Sequence, residues 1–162
     1  MLNVRNLEDR LKREPVRDPA APSQGISMER SLVPSVARHG GSPRDAKEWY
    51  RRSRRYLRVA AHILEAGFAD VCAFYCQQAS EFALKALQVH LHGRFDRTHD
   101  LTRLAKDVSA PPRIVKIAAA ISPTYVAARY PDVGGSRITR RNAESYLDDA
   151  GRLVRWVRRQ MV

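Results

Sequence analysis

Residues 71–92, VCAFYCQQASEFALKALQVHLH, decide the fold. On a helix of 3.6 residues per turn, Gln77, Gln78, Glu81, Lys85 and Gln88 fall into one stripe about 100° wide. Val71, Cys72, Cys76, Ala79, Phe82, Ala83, Leu84, Ala86, Leu87, Val89 and Leu91 cover most of the remaining circumference. A helix apolar over so much of its surface is central, with neighbours on several sides. Its polar stripe is then either a solvated face with a Glu81–Lys85 i,i+4 pair or the wall of a groove.

The flanking segments supply the neighbours. Upstream, Ser42-Pro43-Arg44-Asp45 opens a helix with an N-cap, a proline at the first position and an acidic first turn. Ala46, Trp49, Tyr50, Ser53, Leu57, Ala60, Ile63 and Leu64 recur at helical spacing as far as Gly67, a predicted C-terminal stop. The connection to the central helix is short, so the two run antiparallel.

Downstream, a basic loop, Arg94-Phe95-Asp96-Arg97, leads to Thr98, the predicted cap of a third helix with Leu101, Leu104, Ala105 and Val108 on one stripe. Ser109-Ala110-Pro111-Pro112 breaks it. Ile114, Val115, Ile117, Ala118 and Ile121 form a fourth, interrupted at Ser122-Pro123, with one more turn through Tyr125 and Val126. RYPDVGGSR, residues 129–137, reads as a loop. A last helix starts near Thr139, with Ala143, Tyr146, Leu147, Ala150, Leu153, Val154, Val157 and Met161 on its apolar face. No stretch carries the alternation of a strand. The prediction is an all-α, antiparallel up-and-down bundle of four to five helices over residues 42–162.

Residues 1–41 read differently. Leu2, Leu7 and Leu11 fit one side of a short helix ending at Pro15, and the Pro, Ser, Gly and Ala that follow lack periodicity. Such a composition buries little, so an extended N-terminal arm is expected.

The net charge is +12, and 24 of the 29 basic residues are arginines. Residues 1–40 account for only +2 of it, so the excess lies in the bundle. A basic folded domain points to an anionic partner, nucleic acid first. Five arginines occupy residues 51–58 without one carboxylate, and Arg152, Arg155, Arg158 and Arg159 lie off the apolar face of the last helix. Cys72 and Cys76 read as core residues of a reducing compartment. No apolar run reaches the ~20 residues that span a bilayer, and the first residues lack a signal core. A cytoplasmic protein without a membrane segment is expected.

The chemistry concentrates after the central helix, where Arg94 and His99 stand at the spacing R-x4-H. A His in the first turn of a helix is held neutral by the positive helix end and serves as a general base. The free N–H groups of that turn, with Arg94 and Arg97 beside them, suit a phosphate. These are the parts of metal-free RNA cleavage by 2′-hydroxyl attack. His90 and His92 diverge on their helix and make poor joint metal ligands. Neither a metal nor another cofactor is expected.

The pattern from Ala46 to Leu104 resembles the HEPN domain family (higher eukaryote and prokaryote nucleotide-binding). The resemblance is carried by Ala46 and Trp49, by the run from Ala73 to Leu87 with its Gln77-Gln78-x-x-Glu81-x-x-x-Lys85, and by Thr98-His99-Asp100-Leu101. Arg129-Tyr130-Pro131-Asp132 is similar too. It covers about residues 43–160. It implies a helical bundle that pairs two-fold as a homodimer, with Arg94 and His99 of both subunits facing each other in RNase members. It also implies a small nucleotidyltransferase partner, as in toxin–antitoxin pairs. Two functions stay open. One is a metal-independent endoribonuclease using Arg94 and His99, with Lys85 and Arg97 holding the RNA backbone. The other is a non-catalytic nucleotide-binding or protein-interaction module lined by Gln78, Glu81 and Lys85, with Arg129 and Tyr130 nearby. Phe95 stands where RNase members usually place a polar residue, which leans towards the second function. Leu101 stands where toxins regulated by tyrosine modification carry a tyrosine, which argues against that regulation.

Overall fold

The computed structural model describes residues 42–127 and 138–162. The chain divides into Met1–Arg38 and His39–Val162. All described residues belong to the second unit, and the arm expected over 1–41 lies outside them, as do Arg129 and Tyr130. Among the described residues every regular element is helical: α1 (Pro43–Glu65), α2 (Ala69–His92), α3 (Leu101–Asp107), α4 (Pro112–Ile121), the single turn α5 (Thr124–Ala127) and α6 (Arg140–Gln160).

Local chemistry sets the ends. Ser42 Oγ accepts the Asp45 N–H at 3.3 Å while the Asp45 carboxylate accepts the Ser42 N–H at 2.7 Å, a reciprocal cap at the start of α1. The backbone N–H of Ser42 holds the Asp45 carboxyl below its ordinary value, with the Ser42 hydroxyl adding to the effect. Gly67 follows α1 at φ +92°, a left-handed turn that folds α2 back at once. Gly93, at φ +65°, stops α2. Thr139 and Asn142 form a second reciprocal cap on α6.

The central position expected of residues 71–92 is observed, because α2 touches each of the other five helices. Leu84, Leu87, Leu57, Leu64, Leu104, Ile121, Leu153 and Val157 fill the core around it. The Ser53 hydroxyl, buried between α1 and α2, donates to the Ala79 carbonyl at 2.6 Å. The third-helix stripe of Leu101, Leu104, Ala105 and Val108 is buried throughout. Trp156, absent from the expected apolar face of α6, is also buried. Cys72 and Cys76 are free, buried thiols with sulfurs 4.0 Å apart, and burial pushes the Cys76 thiol well up. No helix among the described residues is long and apolar enough to cross a membrane.

On α6 the Asp149 carboxyl is raised, mainly by partial burial, with Arg152 opposing the effect and Asp148 adding to it. An acid raised in the fold keeps its proton when the unfolded chain has lost it, so stability falls as pH climbs through that window. Asp149→Asn is therefore expected to raise the melting temperature at neutral pH. Near pH 3, where both states are protonated, it should leave the melting temperature almost unchanged. Paired thermal melts check this.

Candidate functional site

The polar stripe of α2 is neither solvated nor an open groove wall. Gln77, Glu81, Lys85 and Gln88 are all 5 % exposed or less. They are covered by residues 93–100, the segment between α2 and α3, and they bind it. Gln77 Nε2 donates to the His99 carbonyl at 3.2 Å and to Glu81 Oε2 at 3.1 Å. Gln88 Oε1 accepts the Asp96 N–H at 3.2 Å while its Nε2 donates to Asp107 Oδ2 at 2.8 Å. Half-buried Gln78 donates to Gln77 Oε1 at 2.7 Å, fixing which way that amide points. Among the described residues, no buried side-chain nitrogen or oxygen lacks a partner.

Glu81 is the junction. Its Oε1 accepts from Lys85 Nζ at 2.8 Å. His99 Nδ1 lies 3.1 and 3.0 Å from its two oxygens. A carboxylate only accepts, so Nδ1 carries the hydrogen and the lone pair of the neutral ring sits on Nε2. The His99 side chain is 51 % exposed although Glu81 beneath it is 3 % exposed. Tyr125 of α5 stacks on the imidazole at 4.4 Å between centroids and 15° between planes. The Thr124 hydroxyl, buried at the foot of α5, lies 2.8 Å from the Ile121 carbonyl and 3.2 Å from the Ala73 carbonyl, which pins that turn against α2.

The predicted start of the third helix is corrected. Thr98 does not cap it; its Oγ1 accepts the Asp100 N–H at 3.1 Å, and Asp100 is the N-cap. Asp100 Oδ1 takes the N–H groups of Thr102 and Arg103, and Ser122 Oγ takes that of Leu101. His99 thus precedes the helix, and the donors expected to hold a phosphate there are already engaged. Asp wins the position because a carboxylate two or three residues before the free N–H groups caps at least as well as a hydroxyl. Glu81, not a helix end, is the group that contacts the His99 ring and selects the tautomer of its neutral form.

The other expected residues are spread over the same segment. Arg94 is 66 % exposed, with Nη1 at 3.8 Å from Asp96 Oδ1, and Arg103 holds Asp96 Oδ2 at 3.3 Å. Arg97 is exposed. Lys85 is buried and committed to Glu81, with its ammonium 5.5 Å from the centroid of the Phe95 ring. Phe95 packs edge-on against Trp49 at 5.0 Å. This aromatic is the plug that closes over the lysine. The structure therefore joins His99, Glu81 and Lys85 directly and Gln78 through Gln77. Tyr125 is a neighbour of His99 that the sequence reading misses; the Ser122-Pro123 break that turns α5 back towards α2 is the signal that could have placed it. No group of three metal-ligating side chains gathers among the described residues.

The described residues form a small all-α bundle whose central helix presents a buried carboxylate to a half-exposed histidine on the following loop. The chain matches the HEPN domain over residues 46–160 and belongs to that family. It is similar to the crystal structure of TT1696 from Thermus thermophilus, with 31% identity and a TM-score of 0.66, over 71% of this chain and 97% of that one. It is also similar to ST0689, an archaeal HEPN homologue, with 27% identity and a TM-score of 0.63, over 72% and 98% of the two chains. No curated protein matches it.

Removing Glu81 should strand a buried ammonium. Glu81→Leu is expected to cost about 3–5 kcal/mol, and adding Lys85→Met in the same chain should recover most of it. Urea unfolding of the single and double variants measures both.

Proposed function

We propose that this HEPN protein is a metal-independent endoribonuclease acting through His99 and Arg94. The observation that carries the reading is the Glu81 carboxylate on His99 Nδ1, which leaves Nε2 of a half-exposed ring free to take a proton. In this mechanism Nε2 removes the proton of a ribose 2′-hydroxyl. The 2′-oxygen attacks the adjacent phosphorus and the bond to the 5′-oxygen breaks, leaving a 2′,3′-cyclic phosphate. The guanidinium of Arg94 balances the charge on the phosphate oxygens, and Arg97 holds the backbone. The homodimer that the family resemblance implies would bring in His99 of the partner subunit, whose imidazolium returns a proton to the leaving 5′-oxygen. Glu81 and Tyr125 are positioning residues: one fixes the tautomer and the other the ring plane.

A nucleotide pocket walled by Gln78, Glu81 and Lys85 has less support, because Lys85 is 5 % exposed and held by Glu81. The resemblance supports a small nucleotidyltransferase as the protein that restrains such an enzyme, in the manner of a toxin–antitoxin pair.

The test is cleavage of single-stranded RNA in the presence of a chelator. The expected products end in 2′,3′-cyclic phosphate. His99→Ala should lower the rate by about 10²–10⁴-fold. Glu81→Gln combined with Lys85→Met, in which the amide can donate to Nδ1 and shift the hydrogen to Nε2 and no ammonium is left buried without its carboxylate, should lower the rate while leaving the fold intact. Cleavage that survives His99→Ala, or its absence in the native chain, overturns the reading.

A further inference from the structure

The outer surface of α1 holds two features that the site does not use. The first is a ridge of arginine. Arg51, Arg55 and Arg58 are exposed and recur at i, i+4 and i+7, so they line one edge of the helix. Glu48 sits beside Arg51 and offsets its charge. The second is a ladder of six half-buried rings along the seam between α1 and α2. It runs from Phe95 through Trp49, Phe82, Tyr56 and Tyr75 to Phe74, with successive centroids 5.0–5.7 Å apart. Arg52 lies between the two features, with its guanidinium carbon 5.8 Å from the Phe82 centroid. Ridge and ladder are about 150° apart around α1, with Arg52 between them at about 100° from the ridge.

We propose that the surface of α1 running from the arginine ridge over Arg52 to the rings at its seam with α2 is a binding track for single-stranded nucleic acid, distinct from the His99 centre and leading to it. Phosphates lie along the arginine ridge while bases turn over Arg52 towards the rings. Guanidinium groups bind phosphate, and aromatic faces and edges accept any base, so the combination takes a single strand without reading its sequence. The ladder's first ring is Phe95, next to Arg94, so a strand on the track arrives at the R-x4-H loop. A second copy of the chain fits this face poorly. Each copy brings the same surplus of arginine to a two-fold contact over this surface, with little carboxylate to balance it. A duplex fits poorly as well, since its bases offer no free faces to the rings.

The track extends the nuclease reading and is tested apart from it, by measuring binding in full-length His99→Ala protein. Fluorescence anisotropy follows a labelled single-stranded pyrimidine RNA and the same RNA annealed to its complement. The single strand is expected to bind more tightly than the duplex. Arg55→Glu with Arg58→Glu should weaken binding about tenfold or more. It should also flatten the salt dependence by about 0.7 in log–log slope for each phosphate that is no longer neutralised. Arg141→Glu with Arg159→Glu, exposed positions on α6, makes the same change in net charge and should have a much smaller effect. Equal losses in the two double variants would show a response to net charge alone and overturn the track, as would tighter binding of the duplex. Circular dichroism of each variant confirms that the helices are kept. RNA cleavage by the native chain does not bear on these outcomes, so the track and the catalytic reading fail separately.

Discussion

A carboxylate that is 3 % exposed must be surrounded by donors, and the architecture around α2 follows from how Glu81 meets that demand. One donor lies a turn further on, Lys85, and one a turn earlier, Gln77. Two neighbours on the same helix cannot by themselves exclude water from a charged pair. The remaining cover is non-local: the segment after α2 folds back, sets His99 on both oxygens of Glu81 and places Phe95 over the ammonium of Lys85. Removing either charge alone leaves the other buried without compensation, so the layer works as a unit.

That layer turns a loop into a defined surface. Residues 93–100 begin with the left-handed Gly93 and end at the Asp100 cap, and between them they form no regular structure. Their shape comes from the helix beneath. Gln88 fixes the backbone at Asp96, Gln77 fixes it at His99, and Phe95 is wedged against Trp49. Loops that carry chemistry are usually placed by a rigid scaffold. Here the scaffold reaches through the loop to a side chain, because the helix carboxylate that anchors the chain also selects the tautomer of the neutral His99 imidazole.

The helices were legible because each apolar stripe has one period and each end a recognisable cap. Ser42-Pro43-x-Asp45 and the stripe from Leu101 to Val108 are found as read. The HEPN resemblance resting on Gln77-Gln78, Glu81, Lys85 and Thr98-His99-Asp100-Leu101 also holds. What could not be read is what covers what. Periodicity put Gln77, Glu81, Lys85 and Gln88 on one side of α2, but it carries no information about a segment returning from outside the helix. Solvent and groove were therefore the only alternatives in view. The Thr98 misreading has a local cause: Thr98 and Asp100 are both good caps two residues apart, and the choice depends on Ser122, twenty-one positions from Leu101, accepting the N–H left over. The stacking of Tyr125 on His99 is equally non-local.

The interior layer also separates the two kinds of charge in this protein. Inside, Glu81 and Lys85 are matched at short range. On the surface, matched pairs such as Arg51 with Glu48 and Arg140 with Glu144 are exposed, and exposed pairs contribute about 0–1 kcal/mol. The surplus of arginine on α1 gains the fold little by that route, and mutual repulsion makes it a modest liability. Three exposed arginines aligned on one edge of α1, which the fold does not need for stability, call for a reason outside the chain. A polyanion is the simplest one, because it neutralises the ridge on binding and is attracted from beyond contact distance. The buried layer on α2 balances its charges within the fold, whereas the surface of α1 leaves an arginine surplus to be balanced from outside it.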